Sequence, residues 1–439
     1  MSSKKILVEN VRIVDPARQL DARGHLLAVD GRIDSCGEGA GPKVADCERI
    51  DAGGRVLAPG LWDIHVHLRE PGQEDKETIA TGCAAAAAGG FTDVVSMPNT
   101  KPPIDTAGAV ELVRARAAAS GLCRVHPTGA ITRGLQGSEM CEYGDMVDAG
   151  AIAFTDDGRP VMDGGLMRRA MEFSKVLNVP MITHAEDLNL SRGGAMHEGE
   201  WSTRLGLPGI PYAAEVTAIA RDIELARLSG ARLHVAHISC AAGVELLRAA
   251  KAQGLAVTGE TAPHFLDFTH EDCAGYDSSF KMNPPLRRKE DQDALVAALL
   301  DGTIDCIATD HAPHTKTEKD QPFGEAPFGV IGLETSFAAT HSRLVVNGPL
   351  KLLQLIELMS TRPAAIVGKE GGSLAPGRPA DFTLIDVEHK WMPRDVDLRS
   401  KGRNCPWLGI ELTGRVLATY IEGRPTFRLR GELERAAAG

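Results

Sequence analysis

The sequence has no long basic run, no C-x-x-C pair and no apolar run that approaches the roughly 20 residues of a membrane span. Its 48 Lys and Arg against 59 Asp and Glu give a net charge of −11. Because nucleic acids and anionic lipids are bound by basic faces, this balance argues against both as partners. The charged N-terminus MSSKKILVENVRIVD also lacks the apolar core of a signal peptide. We therefore expect a soluble cytoplasmic protein.

The cysteines support the same expectation. There are nine, an odd number, scattered along the chain. This arrangement favours reduced thiols and excludes both a small disulfide scaffold and a cysteine-based zinc ribbon. A chain of 439 residues that is 43% hydrophobic and 24% charged can bury a sizeable core. Its length suggests two or three domains, or one large barrel with an appendage.

Both ends of the chain are predicted to form β-structure. Residues 1–58 contain short stretches in which apolar and polar residues alternate, each closed by Gly, Asp or Pro. The same alternation returns at 381–391 and 413–427. A period of two is typical of strands in a half-buried sheet. We predict that residues 1–58 and 366–439 together form one small β-sandwich.

The middle of the chain repeats a strand pattern followed by a helix pattern. Eight strand candidates can be counted, at 62–67, 91–97, 124–131, 151–156, 180–185, 231–237, 256–261 and 303–310. Eight β/α units over about 300 residues match a (β/α)₈ barrel, although a doubly wound open sheet would give the same alternation. The predicted fold class is thus α/β, with a TIM-like (β/α)₈ barrel over residues 59–365 and the β-sandwich formed from both termini.

The strongest local motif is Asp-Ile-His-Val-His-Leu-Arg at 63–69, where the first barrel strand ends. Residues i and i+2 of a strand share a face, so His65 and His67 project together. Two neighbouring imidazoles at the C-terminal end of a barrel strand can chelate a metal. The alternative is a pair of hydrogen-bonded surface histidines.

Three later strand candidates also end in a side chain that can bind a metal, namely His184, His237 and Asp310. In a barrel these ends meet at one mouth. Five such ligands exceed the need of one tetrahedral zinc with an open position, so we predict two metals. The fourth strand offers an anionic bridge in Asp156 or Asp157, and the sequence alone does not decide which of the two turns inward.

These motifs resemble those of the dihydroorotases, in their longer bacterial type, within the amidohydrolase superfamily. The resemblance is carried by DIHVHLREPG near residue 65 and ATDHAPH near residue 310, with MPNTKPP, FTDDG, MNPPLR and GRPADFTLIDV between and after them. It covers nearly the whole chain. It implies a hydrolase with two zinc ions per chain that interconverts dihydroorotate and N-carbamoyl-L-aspartate in pyrimidine biosynthesis. As partners it implies the small-molecule substrate, with a homodimer and aspartate transcarbamoylase as further candidates.

Carried over residue by residue, the resemblance implies a role for each motif position. The first zinc would be held by His65, His67 and Asp310, the second by His184 and His237, with Asp157 as the bridge. Substrate contacts would come from Arg69, Asn99, Asn283, His314 and the backbone of Phe328 and Gly329. Asp310 would also be the catalytic acid and base. A substrate with a free carboxylate needs a bidentate cation and polar donors, which Arg69, Asn99 and His314 can supply.

One feature distinguishes this chain from other members of the superfamily. Many of them bridge their metals with a carboxylated lysine on the fourth strand, but no lysine occurs between Lys101 and Lys175. This absence disfavours the first alternative, a hydantoinase, dihydropyrimidinase or allantoinase. The second alternative is an inactive barrel that scaffolds aspartate transcarbamoylase. Such proteins lose metal ligands, whereas all six ligand positions are filled here.

Two further histidines lie near the predicted ligands. His234 precedes His237 by three residues, so strand alternation predicts that it faces away, toward the helices. His264 ends the seventh strand candidate and is a second candidate for the barrel mouth.

Overall fold

The computed structural model describes residues 4–431 and begins with five strands. They are β1 (Lys5–Asp15), β2 (Leu20–Val29), β3 (Arg32–Glu38), β4 (Cys47–Asp51) and β5 (Val56–Pro59). The first strand pairs with β2 in antiparallel and with β4 and β5 in parallel orientation, and β3 joins the sheet through β2. Ile6, Val8 and Ile13 of β1 belong to one small core beneath this sheet. A register shift between Val8 and Val11 places Ile13 on the same face as the other two, which strict alternation would not.

The next strands belong to the barrel, apart from one small pair. They are β6 (Leu61–Val66), β7 (Phe91–Ser96), β8 (Arg124–Pro127), β9 (Met181–Thr183), the separate pair β10 (Met196–His197) and β11 (Gly209–Ile210), and then β12 (Leu233–Val235), β13 (Val257–Thr261) and β14 (Cys306–Ile307). Parallel pairing joins β6, β7 and β8 into one sheet and β9, β12, β13 and β14 into another. Seven of the eight strand candidates are therefore strands.

Two contacts close these sheets into a ring. Phe154 makes parallel bridges to Gly129 and to Met181, so the fourth strand candidate, 151–156, pairs through a single residue. On the other side, Val66 bridges to His311. The backbone N–H of Thr155 still donates to the Gly129 carbonyl at 2.9 Å, and the chain turns at Asp157. The barrel is closed, which excludes the open doubly wound sheet.

Helices surround the barrel and occupy its connections. They are α1 (Ile79–Ala88), α2 (Ala107–Ser120), α3 (Tyr143–Ala149), α4 (Gly164–Val176), α5 (Leu188–Ser191), α6 (Glu200–Leu205), α7 (Ala213–Ser229), α8 (Ala241–Ala252), α9 (Pro263–Asp267), α10 (Lys289–Asp301), α11 (Lys316–Lys319), α12 (Ser336–Thr340), α13 (Leu352–Ile356) and α14 (Arg362–Ile366). Short 3₁₀ turns cover Pro16–Arg18, Arg133–Leu135, His270–Gly275, Ser278–Phe280 and Asp395–Asp397, and π-helical turns cover His341–Val346 and Glu357–Thr361. The side chains of Thr78, Thr106 and Asp163 cap the N-termini of three of the helices. No helix within residues 4–431 is both long enough and apolar enough to cross a bilayer.

The last three strands return to the first sheet. They are β15 (Phe382–Trp391), β16 (Leu412–Ile421) and β17 (Arg424–Arg428). Antiparallel pairing of β15 with β5 joins the two chain ends into one eight-stranded sheet. The predicted fold class, a (β/α)₈ barrel with a small β-domain from both termini, is confirmed.

The connection between β15 and β16 leaves this sheet and packs against the barrel. Ser400 donates a hydrogen bond to the buried carboxylate of Glu77, which follows β6. Trp407 Nε1 donates to Asp267 at 2.7 Å. Asn404 Nδ2 donates to the carbonyl of Gly329 at 3.0 Å. This C-terminal connection thus supports the loops at the barrel mouth, a contribution that was not predicted.

Candidate metal centre and active site

Four histidines surround one carboxylate at the C-terminal ends of the barrel strands. Asp157 Oδ1 lies 3.3 Å from His65 Nε2 and 3.5 Å from His184 Nδ1. It lies 3.9 Å from His237 Nε2, and Oδ2 lies 3.4 Å from His67 Nε2. Burial alone would raise the pKa of Asp157, but the histidines hold this pKa well below its usual range. The central carboxylate is therefore ionised.

Asp310 lies beside the same group. Its Oδ1 is 3.1 Å from His67 Nε2 and 3.5 Å from His65 Nε2. The ligand atoms of His65, His67 and Asp310 lie within 4.8 Å of one another, and so do those of His65, Asp157 and His237. Within residues 4–431, His65 Nε2 and Asp157 Oδ1 are buried without a hydrogen-bond partner. Since such atoms are costly to bury unsatisfied, this set of donors fits a metal ion.

The neighbouring carboxylate has a different environment. Asp156 Oδ1 accepts the backbone N–H groups of Ile131 at 2.7 Å and Thr132 at 3.0 Å. Its Oδ2 accepts the hydroxyl of Thr132. Asp156 thus fastens the fourth strand to the loop that follows β8, while Asp157 faces the histidines. The sequence alone does not decide which of the two carboxylates turns inward. These contacts show that it is Asp157.

Three of the histidines are oriented by a hydrogen bond from their second ring nitrogen. His65 Nδ1 donates to Glu260 Oε1 at 2.7 Å, and His67 Nδ1 donates to Asn99 Oδ1 at 2.8 Å. His184 Nε2 donates to Glu186 Oε2 at 2.9 Å. These bonds leave Nε2 of His65 and His67 and Nδ1 of His184 to face the two aspartates and His237, where they can serve as metal ligands.

Glu260 was missed by the sequence reasoning because nothing in its local sequence marks it. Burial opposes its ionisation, yet His65 and His234 lower the pKa of Glu260 to about 2. The carboxylate therefore accepts from both rings, with His234 Nε2 at 3.1 Å. It also accepts the backbone N–H of His237 at 3.3 Å. A single buried glutamate thus holds two of the predicted metal ligands, His65 on β6 and His237 just beyond β12.

We expect Glu260→Gln to weaken metal binding by about 10-fold to 100-fold, the usual effect of losing a partner that orients a ligand. The amide can accept from one ring but presents N–H to the other. Chelator competition measures the change. Glu334→Gln is the control, because Glu334 accepts the backbone N–H groups of Arg399 and Ser400 and not a metal-ligand histidine. Equal metal affinity in the Glu260 and Glu334 variants would contradict this role.

A cavity of about 210 Å³ adjoins the cluster of predicted metal ligands, called the metal-ligand cluster below, which is formed by the four histidines with Asp157 and Asp310. Among the residues that line it are His67, Arg69, Asn99, Asp157, His184, His237, Asn283, Asp310, His314, Phe328 and Gly329. Every predicted site residue except His65 therefore lines the cavity, and His65 lies in the cluster behind it. The structure brings all the predicted ligand and substrate positions to one place.

The side chains on the substrate side have protein partners as well. Arg69 is buried, its Nε donates to the carbonyl of Pro313 at 3.1 Å, and its Nη2 lies 3.4 Å from His314 Nε2. Burial, with Arg69 and Lys76, lowers the pKa of His314 to about 3, so the ring is neutral. Its Nε2–H donates to the carbonyl of Phe328 at 2.8 Å, and its Nδ1 accepts from Lys76 at 3.3 Å. Lys76 is a second contributor that sequence reasoning missed.

Asn99 and Asn283 are also bonded to the ligand shell. Asn99 Nδ2 donates to the Asp157 side chain at 3.2 Å, in addition to accepting from His67. Asn283 Nδ2 donates to Glu186 Oε2 at 2.9 Å, the same oxygen that accepts from His184. Both amides therefore connect the cavity wall to the predicted metal ligands, Asn99 directly and Asn283 through Glu186.

Three site residues have a backbone conformation that L-amino acids rarely adopt. The φ angles are +61° for Arg69, +48° for Asp310 and +36° for His237. Such conformations persist where the surrounding structure enforces them, and they are frequent at functional sites. Each lies just beyond a strand end, where the alternation of side chains between two faces no longer applies.

This geometry corrects the prediction for His234. Its ring does not face the helices, because it is buried and bonded to Glu260, next to His65. The prediction was wrong because His237 lies beyond β12, so counting three residues back along a strand was not valid. His264 is fully buried, and neither of its ring nitrogens has a hydrogen-bond partner in the described part of the chain.

The closed barrel, the sheet made from both chain ends and the histidine–aspartate cluster together define a hydrolase barrel of the amidohydrolase class. A solved structure with this architecture is the L-hydantoinase (dihydropyrimidinase) from Arthrobacter aurescens, with a TM-score of 0.86, 26% identity, and coverage of 96% of this chain and 95% of that one.

Sequence comparison identifies the family to which the chain belongs within this class of hydrolases. A family model described as Dihydro-orotase-like matches residues 54–242. The dihydroorotase of Anaeromyxobacter dehalogenans (strain 2CP-1 / ATCC BAA-258) is 49% identical, covering 96% of this chain and 98% of its own. That of Syntrophotalea carbinolica is 48% identical, covering 97% and 99%. The chain belongs to the dihydroorotase family, as the motifs predicted, and this family implies a metal cofactor.

Proposed function

We propose that the protein interconverts (S)-dihydroorotate and N-carbamoyl-L-aspartate in pyrimidine biosynthesis. The observation that carries the proposal is Arg69, a buried guanidinium in the wall of the cavity that adjoins the metal-ligand cluster. A buried cation of this kind needs an anionic partner. Dihydroorotate brings a carboxylate, whereas hydantoin, dihydrouracil and allantoin have none. The identity to relatives named dihydroorotase supports the same substrate.

Turnover of dihydroorotate, measured beside hydantoin, dihydrouracil and allantoin, tests this proposal. We expect activity toward dihydroorotate alone. Comparable turnover of one of the other rings would favour the hydantoinase-like alternative. No turnover of any of the four by protein that holds its metal would favour the inactive scaffold for aspartate transcarbamoylase.

We further propose that the cofactor is two zinc ions. The first would be held by His65, His67 and Asp310, the second by His184 and His237, with Asp157 between them. When bound, zinc lowers the pKa of a water molecule to about 7 and polarises a carbonyl group. Imidazole and carboxylate donors suit this ion. Elemental analysis of active protein would contradict the two-ion proposal if it found a single metal per chain.

Asp310 is the residue to which we assign proton transfer. Burial opposes its ionisation, but His65 and His67 hold the pKa of Asp310 below its usual range, so it starts as the carboxylate. In hydrolysis it would take the proton from the attacking water and pass it to the ring nitrogen as the carbon–nitrogen bond breaks. In ring closure it would take a proton from the carbamoyl nitrogen.

Arg69→Lys should lower kcat/KM for dihydroorotate by about 10-fold or more, because lysine keeps the charge but loses the planar fork that binds a carboxylate through two hydrogen bonds. Steady-state kinetics measure the effect. Arg343→Lys is the control, since Arg343 also donates to a backbone carbonyl, that of Leu266. Unchanged kinetics in Arg69→Lys would remove Arg69 from the substrate site.

We also propose that the enzyme works in the cytoplasm. All nine cysteines are free thiols, which suits a reducing compartment such as the cytoplasm. A homodimer and association with aspartate transcarbamoylase are proposed from the family resemblance. Size-exclusion chromatography with light scattering, with and without the transcarbamoylase, tests both.

A further inference from the structure

Lys319 is a buried lysine whose charged group is held by backbone carbonyls. It ends α11 and is 8% exposed. Its Nζ donates to the carbonyls of Pro327 and Gly329, each at 3.0 Å, and of Lys281 at 3.4 Å. An ammonium group has three N–H donors, and these three acceptors match them. Burying a charge in this way is costly, so the contacts it makes point to a role.

The three carbonyls belong to two segments of the cavity wall. Pro327 and Gly329 flank Phe328, and Lys281 lies two residues before Asn283. The backbone N–H of Gly329 donates to the same Lys281 carbonyl at 2.9 Å, which joins the segments directly. Lys319 is thus positioned to fix both segments relative to each other.

The peptide between Pro327 and Phe328 has a defined direction. In a trans peptide the carbonyl and the N–H point to opposite sides. Because Lys319 holds the Pro327 carbonyl, the N–H of Phe328 points away from Lys319. In the next peptide both ends are used, since the Phe328 carbonyl accepts from His314 and the Gly329 N–H donates to Lys281. Within residues 4–431, the Phe328 N–H has no hydrogen-bond partner.

We propose that Lys319 is a positioning residue whose ammonium group fixes the Pro327–Phe328 peptide so that the Phe328 N–H donates to an oxygen of the substrate. This inference rests on the proposed function, because it takes dihydroorotate as the occupant of the cavity. A neutral amine has only two N–H donors for the three carbonyls. Loss of the charge therefore releases one carbonyl and loosens the peptide.

The surroundings of Lys319 bring the loss of its charge into a pH range in which activity can be measured. Burial, together with Lys281, lowers the pKa of Lys319 to about 7, with Asp277 and Glu318 acting in the opposite direction. His314 is already neutral throughout the relevant range. Lys319 is thus charged below about pH 7 and loses its proton as the pH rises above that value.

The first test is Lys319→Met with dihydroorotate as substrate. We expect KM to rise about 10-fold with kcat changed by less than about 3-fold, since a substrate hydrogen bond is weakened while the reacting groups stay in place. Lys175→Met is the control, because Lys175 donates to one carbonyl, that of Ser229, the last residue of α7. Thermal unfolding of both variants shows whether their stabilities are comparable.

The second test compares pH profiles. The ratio of kcat/KM between wild type and Lys319→Met should be large near pH 6 and clearly smaller, though still above 1, near pH 9, because the wild-type lysine then loses its proton and releases one of its three carbonyls. A role in packing alone would give a constant ratio. Lys319→Arg, which stays charged, should keep a low KM across this range, and it serves as the test if the Met variant does not fold.

If the wild type turns over dihydroorotate, either of two outcomes overturns the Lys319 proposal and leaves the proposed function standing. One is an unchanged KM in Lys319→Met. The other is a kcat/KM ratio between wild type and Lys319→Met that does not depend on pH. If the wild type does not turn over dihydroorotate at all, the proposed function fails and the Lys319 proposal fails with it.

Discussion

Asp310→Asn should lower kcat by about 10² to 10⁴, the usual weight of a positioned acid and base, while most of the metal stays bound. Asparagine can still offer an oxygen to a metal, but it cannot carry a proton at any accessible pH. Asp310 lies 3.1 Å from His67 Nε2 and faces the cavity, so the substitution changes little of the packing. Steady-state kinetics and metal analysis of the same preparation measure the two effects separately.

Asp267→Asn is the matched control for that experiment. Asp267 is a half-buried aspartate, and its carboxylate accepts a hydrogen bond from Trp407 Nε1 at 2.7 Å. Its substitution should lower the melting temperature and leave kcat unchanged. Near-normal turnover of Asp310→Asn with full metal content would mean that another group carries the proton. His264 would then be tested before His314, because the ring nitrogens of His314 are bonded to Lys76 and Phe328 whereas those of His264 are unpartnered within residues 4–431.

Five of the predicted metal ligands could be inferred from the sequence because each lies at, or just beyond, the C-terminal end of a barrel strand. His65 and His67 share a face by simple strand alternation, and the closed ring of parallel strands brings His184, His237 and Asp310 to the same mouth. These inferences needed only periodicity and one architectural rule. The sheet formed from both termini was predictable for a similar reason, because its alternating pattern occurs at each end of the chain.

The residues that orient the ligands could not be predicted in this way. Glu260 is 195 positions from His65 in sequence, and its contact exists only because β13 places it beneath that ring. Lys319 and Asn404 act on backbone carbonyls, so neither has a partner side chain that would mark it. Their roles follow from tertiary contacts between loops, which local patterns do not encode.

The choice between Asp156 and Asp157 likewise depends on tertiary contacts that the local sequence does not encode. Adjacent side chains point to different sides, but the direction of each depends on where the strand ends. Here pairing stops at Phe154, and the N–H groups of Ile131 and Thr132 capture the carboxylate of Asp156. Asp157 is left to face the histidines. We therefore expect substitution of Asp157 to affect metal binding, and substitution of Asp156 to affect the stability of the fold.

Asp157→Ala should abolish metal binding and reduce turnover by about 10³-fold or more, since it removes the anion that the four histidines share. Without this carboxylate, two cations placed among imidazoles would repel each other with no bridging negative charge. Elemental analysis and activity should fall together. The folded structure should persist, because Asp157 makes few contacts beyond the histidines and Asn99.

Asp156→Asn is the matched control, one residue away in the chain. It weakens acceptors for two backbone N–H groups and a hydroxyl, so we expect the free energy of unfolding to fall by about 1 to 3 kcal/mol with the metal content unchanged. Thermal unfolding of the metal-loaded protein and elemental analysis separate the two effects. Loss of metal from Asp156→Asn together with retention in Asp157→Ala would reverse the assignment of the bridge. Both variants remove one negative charge from the same buried turn, so loss of metal in Asp157→Ala alone would show that losing a negative charge from this turn is not by itself enough to release the metal.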